Sequence, residues 1–147
     1  MKLLTSKDKK EIVEQLNKQY GIKKIPFTLI RFGNEKIRIF SGNLVKEEIF
    51  IFDKELRIEN AGLYIAKQES DGIRLTFDSL SIFKDQITKN ILEINNQDAQ
   101  EWLKGNDLSI KAEKGFKILK NNNEFIGCVK SIGEKITNFV PKERRIK

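Results

Sequence analysis

From Asn95 onward the chain offers one short helix and then only brief apolar runs separated by turn residues. Asn95 or Asn96 can cap that helix, with Asp98 and Glu101 in its early turns, where carboxylates suit the positive end of the helix dipole. Ala99, Trp102 and Leu103 share one face, and Gly105 supplies the stop. Leu108 with Ile110, Phe116 to Leu119, Phe125 to Val129 and Ile136 to Val140 then read as strands, with Asn121-Asn122-Asn123 and Gly133-Glu134 as turns. A run of small strands headed by one helix has few ways to bury its apolar faces, and a compact β-barrel is the simplest.

The preceding residues mix helix and sheet. Thr5-Ser6-Lys7-Asp8 opens a helix whose stripe is Ile12, Val13 and Leu16 and whose end is Tyr20-Gly21. Phe27 to Arg31 and Lys36 to Phe40 pair around Gly33-Asn34; Ile37 and Ile39 face one way, Lys36 and Arg38 the other. Ser41-Gly42-Asn43 offers caps for a helix through Leu44 and Val45, although Ile49 to Phe52 suits a strand equally well. Gly62 to Ala66 and Ile73 to Phe77 form a second hairpin around Asp71-Gly72, after which Asp78 caps a short helix bearing Leu80, Ile82 and Phe83. A boundary falls near Thr88-Lys89-Asn90. The expected class is α+β, with an α+β domain over residues 1–88 and a small barrel with one or two short helices over residues 89–147.

Charge is unevenly placed. Residues 1–50 hold eleven Lys/Arg against six Asp/Glu, residues 51–110 seven against eleven, and residues 111–147 ten against four. Two basic ends flanking an acidic middle favour a directed basic surface, the electrostatic footprint of a polyanion binder. A uniformly solvated lysine-rich surface is the alternative. The single Cys128 excludes an internal disulfide, no apolar run reaches the roughly 18 residues of a membrane span, and the start lacks the long apolar stretch of a signal peptide. A cytoplasmic location and no membrane partner are expected.

Chemistry finds little support. The chain has no His, which removes the commonest general base and the commonest zinc ligand. One Cys cannot build a thiolate metal cluster, and neither a P-loop nor a dinucleotide glycine fingerprint is present. No active site, metal or cofactor is expected. Trp102 and Cys128 read as core residues, and the Phe residues as packing.

Ile91 to Ile94, the helix from Asp98 to Lys104, Gly105-Asn106-Asp107-Leu108, Phe116 to Leu119, Phe125 to Cys128 and the closing Asn138-Phe139-Val140-Pro141-Lys142-Glu143-Arg144-Arg145 resemble a PUA domain, the small RNA-binding barrel. The whole chain resembles archaeal proteins in which a pre-PUA α+β domain precedes a PUA domain, and it is similar to the C-terminal region of Sun/Fmu-type RNA cytosine methyltransferases. Segment 109–115 is shorter than in many PUA domains and lacks their Pro-Gly and Gly-Asp pairs. The resemblance implies structured RNA as partner, rRNA or tRNA, and a role beside an RNA-modification enzyme or in ribosome biogenesis.

The candidate RNA-binding residues are Lys104, Gly105, Asn106, Lys142, Arg144, Arg145 and Arg74. Gly105 is either a plain helix stop or a place where a missing Cβ lets phosphate or ribose approach. Lys142, Arg144 and Arg145 are either a loose tail or, with Phe139, Val140 and Ile146 pinning it, planar donors and a point charge for phosphate. Arg31, Arg38 and Arg74 lie on polar strand sides and would extend a basic track if the sheets align. Two other readings stand beside RNA binding. One is a protein-interaction module whose acidic middle, Glu55, Glu59, Glu69 and Asp71, docks a basic partner. The other is a PUA-like fold that no longer binds RNA.

Overall fold

The structure is a computed structural model and describes residues 2–40 and 62–147. The helix-or-strand segment expected after Ser41 lies outside the described residues.

Strands β1 (Lys2–Leu3), β2 (Thr28–Phe32), β3 (Lys36–Phe40), β4 (Leu63–Glu69) and β5 (Gly72–Leu75) form one antiparallel sheet in chain order. Helix α1 (Ser6–Tyr20) starts at Thr5, whose hydroxyl accepts from the Asp8 amide while the Asp8 carboxylate accepts from the Thr5 amide. Those reciprocal bonds satisfy two otherwise orphaned donors; the Thr5 hydroxyl, which donates to Asp8 Oδ2 at 2.8 Å, and then the Thr5 amide hold the Asp8 carboxyl below its ordinary range. Ile12, Leu16 and Tyr20 are its buried stripe, and Gly21 at φ 85° closes it. The alternation expected in β3 holds: Ile37 and Ile39 are buried, Lys36 is exposed and Arg38 half-buried.

Helix α2 (Ser79–Phe83) lies where expected, but Asp78 is not its side-chain cap. Its carboxylate instead receives Arg144 Nη2 at 2.9 Å, because an ionised partner outcompetes a weak cap on a helix of barely one turn.

The second sheet runs β6 (Ile91–Glu93), β7 (Gly115–Asn121), β8 (Glu124–Ser131), β9 (Ile136–Thr137). β6 pairs with β7 in parallel, and helix α3 (Asn96–Leu103) follows β6 directly. Asn122 and Asn123, at φ 49° and 67°, make the tight β7–β8 turn, a geometry that asparagine tolerates better than other side chains. The sheet is curled, and its ladder is open between β6 and β9. Two expected strands are shorter than their apolar runs. Leu108 makes a single bridge to Ile136, and β9 ends at Thr137. The reason is Asn138: its side-chain carbonyl takes the Val140 amide at 2.8 Å, and its own amide goes to Asp107 Oδ1 at 2.8 Å. Side-chain bonds of this kind replace ladder bonds.

β7 and β8 are covered on both faces. Phe116, Ile118 and Cys128 join the core beneath the first sheet, with Tyr20, Ile73 and Phe83; Leu119 and Val129 join a second core around Trp102, with Ile94, Leu108 and Val140. The period of two along each strand distributes these side chains. The turn at residues 88–90 is tied to the end of α1: the Thr88 amide donates to Tyr20 O at 2.8 Å, Asn90 Nδ2 bonds Gln19 O, and the Ile118 amide donates to Asn90 O at 2.8 Å.

Candidate nucleic-acid interface

The seven residues singled out from the sequence fall into two groups. The first surrounds the end of α3. Asn95 caps the helix through the Asp98 amide at 2.8 Å, and the Lys104 amide closes its last turn on Gln100 O. Gly105 then takes φ 101°, so it is the stop that its position implied. Its missing Cβ is also used: a Cβ there would lie 2.6 Å from Arg145 Nε. The approach that glycine permits is therefore taken by this chain's own arginine. Arg145 Nε donates to Val140 O at 3.2 Å, which fixes the side chain across the glycine. Lys104 Nζ pairs with Glu101 Oε1 at 3.3 Å, and Asn106 Nδ2 donates to Glu101 Oε2 at 2.8 Å. These contacts, the Asn106 amide first, hold the Glu101 carboxyl below its usual range.

The tail is pinned rather than loose. Asn138 Nδ2 donates to Trp102 O at 2.6 Å and to Asn106 O at 2.8 Å, and the Ile146 amide donates to Leu103 O at 3.0 Å. Val140 is buried in the Trp102 core, and Pro141 leads into a 3-10 turn over Lys142–Arg144. Lys142 stands exposed on that turn and makes no ion pair among the described residues. It is an unengaged cation of the tail among the described residues, as is Lys147.

The second group lies between the sheets. The Arg74 guanidinium sits 4.2 Å from the centre of the Phe139 ring, and that of Arg144 sits 5.6 Å from the centre of Phe77 while bonding Asp78. Both join a residue of the first sheet or its following loop to the C-terminal segment. Asp71 Oδ2 and Lys130 Nζ, 2.6 Å apart, likewise join the β4–β5 turn to β8. The Asp71 carboxyl is held low and the Lys130 ammonium high, each first by their mutual hydrogen bond. Arg31 donates to Gln68 Oε1 at 2.8 Å, and Arg38 donates to Gly62 O at 2.9 Å between the rings of Phe32 and Tyr64.

Trp102 and Cys128 are core residues, 1% and 3% exposed. Burial pushes the Cys128 thiol up to about 11, against the reactive thiolate range. The sequence reading overlooked Asn138, which organises the whole tail. Its position directly before an apolar Phe-Val-Pro run was the available signal, since Asn favours such side-chain turns. Of the acidic residues offered for a basic partner, Glu69 is 3.7 Å from Lys67 and Asp71 is paired with Lys130; Glu55 and Glu59 lie outside the described residues. No described helix is long and apolar enough to cross a membrane.

Residues 89–146 match the family model described as the methyltransferase RsmF PUA domain. Curated relatives are named ribosomal RNA small subunit methyltransferase F. That of Psychromonas ingrahamii is 33% identical over 97 residues, covering 61% of this chain and 20% of that protein. That of Vibrio cholerae serotype O1 is 24% identical over 139 residues, covering 93% and 28%. The chain thus spans less than a third of the length of these relatives. A crystal structure of a hypothetical protein from the hyperthermophilic archaeon Pyrococcus horikoshii OT3 superposes with a TM-score of 0.54 at 17% identity, covering 99% of this chain and 88% of that one. At that identity the likeness concerns the fold alone.

Proposed function

This is a PUA-containing chain, similar to the C-terminal region of Sun/Fmu-type RNA methyltransferases, and from that premise we propose that it binds structured RNA. The observation that carries the reading is the PUA match over residues 89–146, in which the α3 end, Gly105 and the pinned tail all lie. Residues 1–88 are read as a pre-PUA domain that supports the first and contributes Arg74 to it. The RNA is ribosomal by the company the chain keeps, since the relatives carry names of small-subunit rRNA methyltransferases; tRNA is the other structured candidate. We assign recognition rather than methyl transfer to these residues, because the matching family model describes the PUA part of such enzymes. The role is that of an accessory element in RNA modification or ribosome biogenesis, acting in the cytoplasm.

Physically, the tail presents Lys142 as a phosphate-seeking point charge, with the Arg145 guanidinium held beside Gly105 and the Asn106 amide nearby. A-form RNA displays phosphates and 2′-hydroxyls that such a surface reads by shape. The test is a titration of labelled small-subunit rRNA fragments and tRNA against the wild type and a Lys142→Ala/Arg145→Ala variant at several salt concentrations. Binding should weaken with salt at a log–log slope of roughly −0.7 to −0.9 per neutralised phosphate, and the variant should have the shallower slope. Failure of every structured RNA to bind, or affinity independent of salt, would overturn the reading.

A further inference from the structure

The two sheets and the tail enclose a groove of about 410 Å³, which shares only Arg74 with the candidate RNA-binding residues above. Small-molecule sites span about 300–1,000 Å³, so the space suits one planar group and its immediate attachment. Arg38, Tyr64, Arg74, Phe77, Phe139 and Glu143 line it, and the buried Trp102 and Cys128 lie at its deep side.

Arg74 Nε and Trp102 Nε1, both in this lining, have no acceptor among the described residues. The Arg74 guanidinium is stacked on Phe139 but makes no hydrogen bond or ion pair among the described residues, and its Nε is buried. The indole Nε1 of Trp102, a side chain 1% exposed, is buried with no partner among the described residues. Folded proteins rarely leave donors without acceptors, and a ligand that brings acceptors into this groove would engage the Arg74 guanidinium, whereas the Trp102 indole is closed off from it. Two carboxylates also line the groove. Asp78 is engaged by Arg144, whereas Glu143 is exposed and makes no ion pair among the described residues. The lining therefore offers aromatic faces, an arginine fork already flattened against a ring, and a carboxylate acceptor.

We infer that this groove takes a guanine base, presented unstacked by an RNA loop or single strand. Guanine carries O6 and N7 in the spacing that an arginine fork grips with two hydrogen bonds, and it carries N–H donors for a carboxylate. Aromatic rings supply the stacking that a base loses on leaving its helix. Adenine and the pyrimidines lack one or other half of that match. The inference rests on the RNA-binding reading and narrows it from duplex shape alone to one read base.

The chain's single tryptophan, Trp102, lines the groove, so its fluorescence reports occupancy directly. The probes are the four ribonucleoside monophosphates, followed by RNA hairpins that differ only in a loop guanine or adenine. Guanosine monophosphate should change Trp102 emission saturably, at concentrations at least about tenfold lower than the other three. Arg74→Ala and Glu143→Gln should each lose that preference, and the guanine-loop hairpin should lose its advantage in the same variants. Glu143 is exposed and makes no ion pair among the described residues, so Glu143→Gln keeps the test valid if Arg74→Ala fails to fold. Equal response to all four nucleotides together with equal affinity for both hairpins would overturn the inference while leaving RNA binding intact. A guanosine monophosphate response lost in both variants, with no structured RNA bound, would uphold the guanine groove and overturn the RNA-binding reading instead.

Discussion

Gly127 on β8 faces the indole of Trp102 so closely that a Cβ at Gly127 would lie 1.8 Å from Cη2 and 2.5 Å from Cζ2. The only tryptophan of the chain thus reaches its place because the strand beneath it has no side chain at that point. The ring fixes α3, and its carbonyl receives Asn138, so this contact underlies the candidate interface as well as the second core.

Gly127→Ala should therefore be strongly destabilising. Overpacking a core costs about 1–3 kcal/mol where neighbours can adjust, and a fully buried indole adjusts poorly. Urea denaturation should give a loss at or above the upper end of that range. A midpoint within error of wild type would show that the indole is free to move.

Asn138→Ala removes two donated bonds and one accepted bond that hold the tail to α3. Leaving partly buried backbone groups unpaired costs about 1–3 kcal/mol each at the upper limit, and local loosening relieves part of it. Hydrogen exchange should accelerate at the Ile146 and Val140 amides well before the β7–β8 amides change. Unaltered protection at Ile146 would mean that Pro141 and Val140 alone pin the tail.

Lys142 and Arg144 stand two residues apart with different expected effects. Arg144 is engaged by Asp78, in a pair exposed enough to contribute only about 0–1 kcal/mol. Lys142→Ala should lower the salt slope of RNA binding by roughly one phosphate's worth and leave stability unchanged. Arg144→Ala should reduce stability slightly through the lost Asp78 and Phe77 contacts. Identical salt slopes for wild type and Lys142→Ala would remove Lys142 from the interface.

The Asp71–Lys130 pair predicts a pH window. The Asp71 carboxyl titrates below its unfolded value, so its contribution is present above that value and is lost as pH falls through the folded one. The Lys130 ammonium titrates above its unfolded value, so its contribution is present below that value and is lost as pH rises through the folded one. The stability gap between wild type and Asp71→Asn should be flat from about pH 5 to about pH 9 and close at both extremes. A gap unchanged at about pH 2 would show that the substitution acts through packing instead.

Cys128 should resist alkylation. Its thiol is buried, hydrogen-bonding distance from Tyr20 Oη at 3.8 Å, and pushed up to about 11 by burial. Iodoacetamide at about pH 8 should leave the folded protein unmodified over hours and label it fully in denaturant. Rapid native labelling would indicate that the sheets separate readily.

Local signals carried far along this chain. The Thr5–Asp8 box, the Asn95 cap, the strand alternation at Ile37 and Ile39 and the Asn122-Asn123 turn depend on residues within a few positions of one another, so the sequence by itself determined them. It also placed Trp102 in a core and Gly105 at a helix stop, but left the closing basic segment either loose or pinned. Other features depend on pairs far apart in the chain. Asp78 turned from a cap into a partner for Arg144, and Arg74 met Phe139 instead of lying on a solvated face. Gly105 gave its open space to Arg145, and Gly127 gave its own to Trp102. Hydrogen-bond caps and a period of two are written within a few residues; which cation meets which ring is decided only when two sheets pack and desolvate both.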